Sequence, residues 1–340
     1  MKRTLICLSA MVLLTIGSAP LAFAANIGNL RMTSGLVGGI DYTLASGFAA
    51  VYQKHTGETL EVLTKRLETT APELYAGQYE LAFQTNVLAF MLYNNIDLRT
   101  LEPTGSKVQP PVRLIMMGNK MPAGFVAAKS LGITKVSELK GKRISKFTQF
   151  APLFMSNLNI LAAGMDVRKD VVSISTASPV TGAQQLIDGM IDAAFGGITM
   201  PVFREADAAK GVRCLGHNPT PEVEERVRKV FPGAAFVRVE PNPGLVGVPE
   251  PTWLLAQHNA LFSATNIPDD RIYTFVKVIW ENRQDLVPYA PDFKDWVNEP
   301  PANTYASAPF HPGAIRYYKE AGLWSDEMEK WNQQLLDIYK

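Results

Sequence analysis

With 33 basic and 32 acidic side chains in 340 residues, the chain carries a net charge of only +1, which argues against nucleic acid or anionic lipid as a partner. Apolar residues make up 47%, enough for ordinary globular cores, and beyond the N-terminus no stretch reaches the roughly 18 uninterrupted apolar residues of a membrane span. The first 24 residues read as a cleavable export signal, with basic Lys2 and Arg3, an apolar run over 5–16 and the small-x-small pattern Ala22-Phe23-Ala24 before the expected cut at Ala25. Its removal leaves about 316 residues, room for two domains, and shifts the charge to about −1. Cys214 is then the lone cysteine, so no internal disulfide is expected. Close to Val212 and Leu215, it reads as a small buried hydrophobe.

In chain order, short apolar runs alternate with amphipathic stretches, the pattern of an α/β protein. Residues 30–34 predict a strand, 35–39 a glycine-rich loop, and 40–55 a helix with Leu44, Phe48, Val51 and Tyr52 on one face. A strand at 61–64, a helix from Thr69 or Thr70 to Gly77, a strand at 80–85 and a helix at 86–93 complete a parallel α/β half. Strands are expected at 112–117 and 125–128. A second α/β unit follows, with strands at 143–145, 171–174, 192–195 and 212–215 and helices at 136–142, 153–163, 181–190, 202–210 and 221–230. Pro241, Pro243, Pro249 and Pro251 mark a return linker, because proline stiffens a crossover and cannot serve a central strand. A strand at 253–256 then rejoins the first unit, and helices at 269–282 and 328–339 pack outside it.

The stretch 30–42 has the makings of a binding corner. A helix leaves its first backbone N–H groups unpaired and carries partial positive charge there, while Gly38 and Gly39 allow close approach to the main chain. A small anion suits such a corner; a purely structural turn is the alternative reading.

Five segments in order resemble one family. Gly38-Gly39 with Tyr42 is similar to its first loop, and Leu74-Tyr75-Ala76-Gly77-Gln78-Tyr79-Glu80-Leu81-Ala82 to its helix-to-strand unit. Leu139-Lys140-Gly141-Lys142-Arg143-Ile144, continued by Ile160-Leu161-Ala162-Ala163-Gly164-Met165, resembles the start of its second domain. Gly189-Met190-Ile191-Asp192-Ala193 with Pro201 and, most specific, Phe310-His311-Pro312-Gly313-Ala314 complete the set. On these residues the chain resembles a TAXI-type solute-binding protein, the extracytoplasmic receptor of one class of TRAP transporter. The resemblance implies an α/β, two-lobed periplasmic binding protein of type II-like fold, with a hinge and an interlobe ligand cleft. It further implies a small-molecule carboxylate ligand, TRAP membrane permease subunits as partners, a periplasmic location and a monomer. The lobes are set at 25–119 with 248–340, and at 120–247, after the signal at 1–24. Characterised members typically bind small organic anions such as glutamate or 2-oxoglutarate.

Two departures bear on the ligand. In place of a glycine-serine pair and an asparagine stand Arg66-Leu67 and Thr70, and in place of a glycine-serine-glycine-threonine turn stand Phe150-Ala151-Pro152-Leu153. The missing glycines and the added proline remove close backbone approach and an N–H donor. A guanidinium at a strand's end holds a carboxylate bidentately, so the expected ligand is a carboxylate with a larger apolar or aromatic body. Arg66 grips it, and Phe147 or Phe150 covers it. The plainer alternative leaves Arg66 exposed beside Lys65 and Glu68 and the phenylalanines in the second lobe's core. Further candidates at strand ends and helix starts are Ser34, Thr69, Thr70, Gln84, Thr85 and Asn86 from the first lobe. From the second come Thr148, Gln149, Ser178, Thr181 and Thr199. Thr85-Asn86 reads equally as a helix cap.

No catalytic role is expected. The histidines His55, His217, His258 and His311 form no H-E-x-x-H or close pair, no G-x-S-x-G occurs, and acidic residues are scattered, so neither cofactor nor metal site is expected. Trp280, Trp296, Tyr317, Tyr318, Trp324 and Trp331 suggest core packing rather than a carbohydrate platform. Two alternatives to transport with a TRAP permease are a periplasmic ligand sensor partnering a membrane sensor and an ABC-linked receptor of similar fold.

Overall fold

The computed structural model describes residues 30–35, 37, 40–64, 73–74, 78–94, 96–97, 102–103, 112–148 and 150–339. Its strands are β1 (Leu30–Ser34), β2 (Leu60–Thr64), β3 (Leu81–Thr85), the short pair β4 (Ile96–Asp97) and β5 (Glu102–Pro103), β6 (Val112–Ala128), β7 (Arg143–Phe147), β8 (Val172–Thr176), β9 (Ala193–Gly197), β10 (Val212–Cys214), β11 (Ala235–Val239) and β12 (Thr252–Ala264). Its helices are α1 (Ile40–Thr56), α2 (Asn86–Asn94), α3 (Phe150–Ala162), α4 (Pro179–Ile187), α5 (Pro201–Lys210), α6 (Pro221–Val230), α7 (Asp269–Glu281), α8 (Phe293–Trp296), α9 (Pro312–Glu320) and α10 (Asp326–Ile338).

One mixed sheet runs in the order β2-β1-β3-β12-β6-β9-β7-β8, with β10 added on β6 and β11 on β12. β1 is parallel to β2 and β3 at one end, and β7 is parallel to β8 and β9 at the other. The two antiparallel strands between them, β6 and β12, join the halves. A first apolar core packs α1, α7, α9 and α10 on β1–β3 and includes Phe48, Phe83, Phe275, Trp296 and Tyr318. A second gathers Phe125, Phe147, Phe154, Phe195 and Phe231, and α2 contributes Val87 and Phe90 to it. The fold is α/β with a central sheet in a two-lobed arrangement.

The long strands correct the sequence reading. Expected as two pieces, 112–117 and 125–128 are one strand of 17 residues through Gly118, Pro122 and Gly124. The apparent breakers sit where the partner changes: β6 pairs with β12 up to Met121 and with β9 from Ala123, so Pro122 falls between the two ladders. Likewise 253–256 is only the start of β12, which continues to Ala264. Strand β11 and helix α9 were not anticipated, and 136–142 is a short 3-10 turn at Val136–Leu139. The helix expected from Thr69 to Gly77 lies, but for Glu73 and Leu74, outside the described residues.

Other expectations agree with the structure. Leu44, Phe48, Val51 and Tyr52 are buried on α1, as are Trp280, Trp296, Tyr317 and Tyr318 in the first core. Cys214 is fully buried, and burial pushes its thiol up to about 12. Helix starts follow local chemistry: Ser178, Thr220 and Ser325 accept an N–H from the first turns of α4, α6 and α10, with proline in the first turn of the first two.

A polar floor on the crossing strands

Each helix that opens toward the junction of the lobes follows the carboxyl end of a parallel strand. α1 follows β1 and α2 follows β3; α3, α4 and α5 follow β7, β8 and β9. Such ends, at the crevice of an open sheet, are where α/β folds meet ligands.

Cross-strand register identifies the side chains below that crevice. β12 sets Asn259 opposite Thr85 and Leu261 opposite Phe83. Paired residues share a face and faces alternate along a strand, so Gln257, Asn259 and Leu261 project to the side of Thr85 and Phe83. Phe83 stacks on Trp296 at 5.7 Å and meets Phe48 of α1 at 6.0 Å, which makes this the α1 face. The register that pairs Thr33 with Ala82 sets Ser34 level with Phe83, on the same face and two residues short of Thr85. A polar row of Ser34, Thr85, Asn259 and Gln257 thus runs obliquely across this face where β6 and β12 pass between the lobes.

The row is tied together in part. Asn259 Nδ2 donates to Asn119 Oδ1 at 2.9 Å, and both residues are buried. The enclosed polar atoms that make no hydrogen bond among the described residues include Asn259 Oδ1 and Gln257 Oε1 of this row and Trp296 Nε1 of α8, whose ring stacks on Phe83. Buried polar groups are almost always paired, so unpaired ones at a crevice mark a place where a ligand or water supplies the partner. Lys120, next to Asn119, is paired with Glu299 at 2.7 Å, so its charge is already matched. At the start of α1, Asp41 lies against Gly35: a Cβ built on that glycine meets Asp41 Oδ2 at 3.2 Å. Burial, with the Asp292 carboxylate nearby, pushes Asp41 up to about 6.

The residues expected to form the site are distributed as follows. Ser34 is buried at the end of β1, its hydroxyl donating to Gly35 O at 3.2 Å. Tyr42 is half-buried in the first turn of α1, and Thr85 is half-buried at the end of β3. Gln84 is buried on the opposite face. Asn86 spends its amide on backbone: Nδ2 donates to Gly233 O at 3.0 Å and Tyr305 O at 3.1 Å, and Oδ1 accepts from His258 N at 3.0 Å. Phe147 is 2% exposed and edge-on to Phe195 at 6.3 Å, placed in the second core rather than over a cleft. Thr148 is exposed and its N–H donates to Thr176 O at 3.2 Å. Ser178 Oγ accepts from Thr181 N at 3.2 Å and lies 3.1 Å from its hydroxyl, and Thr199 is exposed before α5. Phe150 opens α3. Gly38, Gly39, Arg66, Thr69, Thr70 and Gln149 lie outside the described residues.

Asn119, Gln257, Asn259 and Asp41 were missed. The signal was present in Gln257-His258-Asn259, three polar residues inside a strand that is otherwise almost wholly apolar. Among the described residues no group of three or more His, Cys, Asp or Glu side chains is placed to hold a metal ion, and no helix is long and apolar enough to cross a membrane.

Two α/β units joined by two crossing strands are a fold shared with solved periplasmic binding proteins. Solved structures with this fold include PhnD1 from Prochlorococcus marinus in complex with methylphosphonate (9% identity over 88% of this chain and 100% of that one, TM-score 0.51). Another is a putative sulfonate ABC transporter periplasmic binding protein, SsuA, from Methylobacillus flagellatus (13% identity, 87% and 88% covered, TM-score 0.51). Residues 32–322 match the NMT1-like family, and the chain belongs to it.

Proposed function

We propose that this protein is a periplasmic receptor, exported by a signal cleaved near Ala24, that closes two lobes on a small organic acid and delivers it to a TRAP-type membrane permease. The lobes of this reading are 25–119 with 248–340, and 120–247. The observation that carries it is the polar row on β12 and β3, where Asn259 Oδ1 and Gln257 Oε1 are enclosed without partners at the crossing of the lobes. Unpaired amide oxygens at a crevice suit a ligand that supplies the missing hydrogen-bond donors, which supports binding as the work of the site. The carboxylate anchor of this reading is Arg66, because Lys120 is already matched by Glu299.

A thermal-shift screen of the mature protein tests it, using glutamate, 2-oxoglutarate, larger aliphatic and aromatic carboxylates, and an alkylsulfonate and an alkylphosphonate as contrast. A ligand at a hundredfold excess over its Kd should raise the melting temperature by roughly 4 °C. A shift with the larger carboxylates supports the reading; a shift confined to sulfonate or phosphonate overturns the carboxylate and favours an ABC-linked receptor. For whichever carboxylate binds, Arg66→Ala should weaken affinity by about 10- to 100-fold, measured by calorimetry. Unchanged affinity removes Arg66 as the anchor. Co-purification with TRAP permease subunits, rather than with a membrane sensor, distinguishes delivery from sensing.

A further inference from the structure

The lobes are fastened to each other on the face of β12 opposite the polar floor. Helix α2 follows β3 of the first lobe, yet it buries Val87 and Phe90 in the second core. Phe90 lies 5.0 Å from Phe231 and 5.8 Å from Phe154, ring centre to ring centre. At the head of the same helix, Asn86 reaches three separate parts of the chain. Its Nδ2 holds Gly233 O, in the corner between α6 and β11, and Tyr305 O, in the strap leading to α9. Its Oδ1 accepts the His258 N–H of β12, and its own carbonyl accepts the Ser307 hydroxyl at 2.5 Å.

A second set of contacts runs beside the first. Arg228 of α6 donates to Thr304 O at 3.0 Å and sits 5.0 Å over the Tyr305 ring. Tyr305 stacks on His258 at 4.9 Å and 24°. His258 is fully buried, and burial, with Lys120 and Arg228 nearby, pushes it down to about 3, so it serves as a neutral aromatic plate. Aromatic wedge, buried amide and cation over a ring all join the second lobe's α6–β11 corner to the first lobe's α2 and strap.

We infer that this seam, made by Asn86, Phe90, Arg228, Gly233 and Tyr305, is the pivot of the lobes and stays closed while the cleft opens on the α1 face. The inference rests on the receptor reading in supposing that the lobes move. Opening at the seam strips a fully buried amide of its partners and exposes Phe90 to water, both unfavourable. Opening on the other face uncovers the Asn259 and Gln257 oxygens, which have no partner to lose and gain one from water; the His258 ring nitrogens on the seam side are unpaired too, but water reaches them only after the Asn86 bonds and the Phe90 wedge are lost. The seam therefore resists what the polar floor permits.

Amide hydrogen exchange on the ligand-free mature protein tests the pivot. Peptides spanning 86–94 and 231–239 should exchange as slowly as those covering β3 and β7, within roughly tenfold. Two variants release the seam by different routes. In Gly233→Ala the new Cβ falls 2.4 Å from Asn86 Nδ2 and 2.8 Å from the Phe231 ring. Arg228→Ala removes the cation from Tyr305 and leaves the buried core intact, so it reports even where the first variant does not fold. Each should speed exchange in both seam peptides more than about tenfold and leave β1 and β7 unchanged. Seam peptides that exchange much faster than both strands in the unaltered protein overturn the pivot, because the seam then opens as a latch. So does unchanged seam exchange in Arg228→Ala. The measurement uses no ligand, so a failure of the organic-acid reading in the thermal screen leaves this result standing on its own.

Discussion

Replacing Gly313 by alanine should destabilise the protein by about 3 kcal/mol, lowering the melting temperature by roughly 4–5 °C. A Cβ at this position falls 2.2 Å from the Asp269 carbonyl oxygen and 3.0 Å from both Asp269 C and Tyr273 N. Those are backbone atoms of α7, so no side chain can swing aside, and relief requires α9 to move as a body. Its motion is opposed by Tyr317 and Tyr318, both buried, and by the Arg316–Asp270 ion pair at 2.7 Å between the same two helices. Small-to-large changes in a packed core usually cost 1–3 kcal/mol, and contact with main chain puts this one at the upper end. Urea unfolding followed by circular dichroism measures it, and a loss below about 1 kcal/mol would mean that α9 is free to shift.

The same geometry explains the His-Pro-Gly-Ala signature in which Gly313 stands. His311 Nδ1 accepts the Gly313 N–H at 3.1 Å, capping α9, while its Nε2 bonds Ile267 O at 3.1 Å and so carries the proton. Pro312 takes the first helical position, where no N–H is needed, Gly313 admits α7, and Ala314 is fully buried. Burial lowers the imidazole's pKa, as suits a ring held in one neutral tautomer. The most specific motif in the sequence is thus a docking joint between two helices. It carries a resemblance to a family and points to no ligand.

How far the sequence could be read depended on how far each feature is local. The alternation of strands and helices and the buried face of α1 are written in spacings of a few residues, and they were legible; the caps were not, since Ser178 read as a ligand contact and is the cap of α4. β6 was not, because Pro122 and Gly124 look like breakers unless one knows that the strand changes partners between Met121 and Ala123. The polar row was hidden for the same reason. Asn259 faces Thr85 across 174 positions of chain, and no local pattern assigns Gln257 and Asn259 to one face and His258 to the other. Asn86 looked like a cap or a ligand contact; its actual partners, at Gly233, Tyr305 and His258, exist only after the lobes have met.

The second large effect concerns Asp41 and has a definite sign. In the native state its pKa stands near 6, against 3.8 for the free group. The folded protein therefore holds this proton more tightly than the unfolded chain does. Stability attributable to the group is full below about pH 4 and is lost as the pH rises through 6. The loss is on the order of 3 kcal/mol, from about two pH units at 1.36 kcal/mol each. Asp41→Asn keeps the shape and removes the titration. It should be on the order of 3 kcal/mol more stable than the unaltered protein at pH 8, with the difference shrinking to nothing by about pH 4. Urea midpoints at four pH values between 4 and 8 decide the matter, and a difference that does not change with pH would show that the carboxyl is not held at its raised value. The start of a helix ordinarily favours a carboxylate, so the upward shift means that burial and the Asp292 charge outweigh the helix's positive end. Asp41 also alters the expectation for the glycine corner. An anion reaching the start of α1 at neutral pH meets a carboxylate of the protein itself beside Gly35, which opposes the helix's positive end.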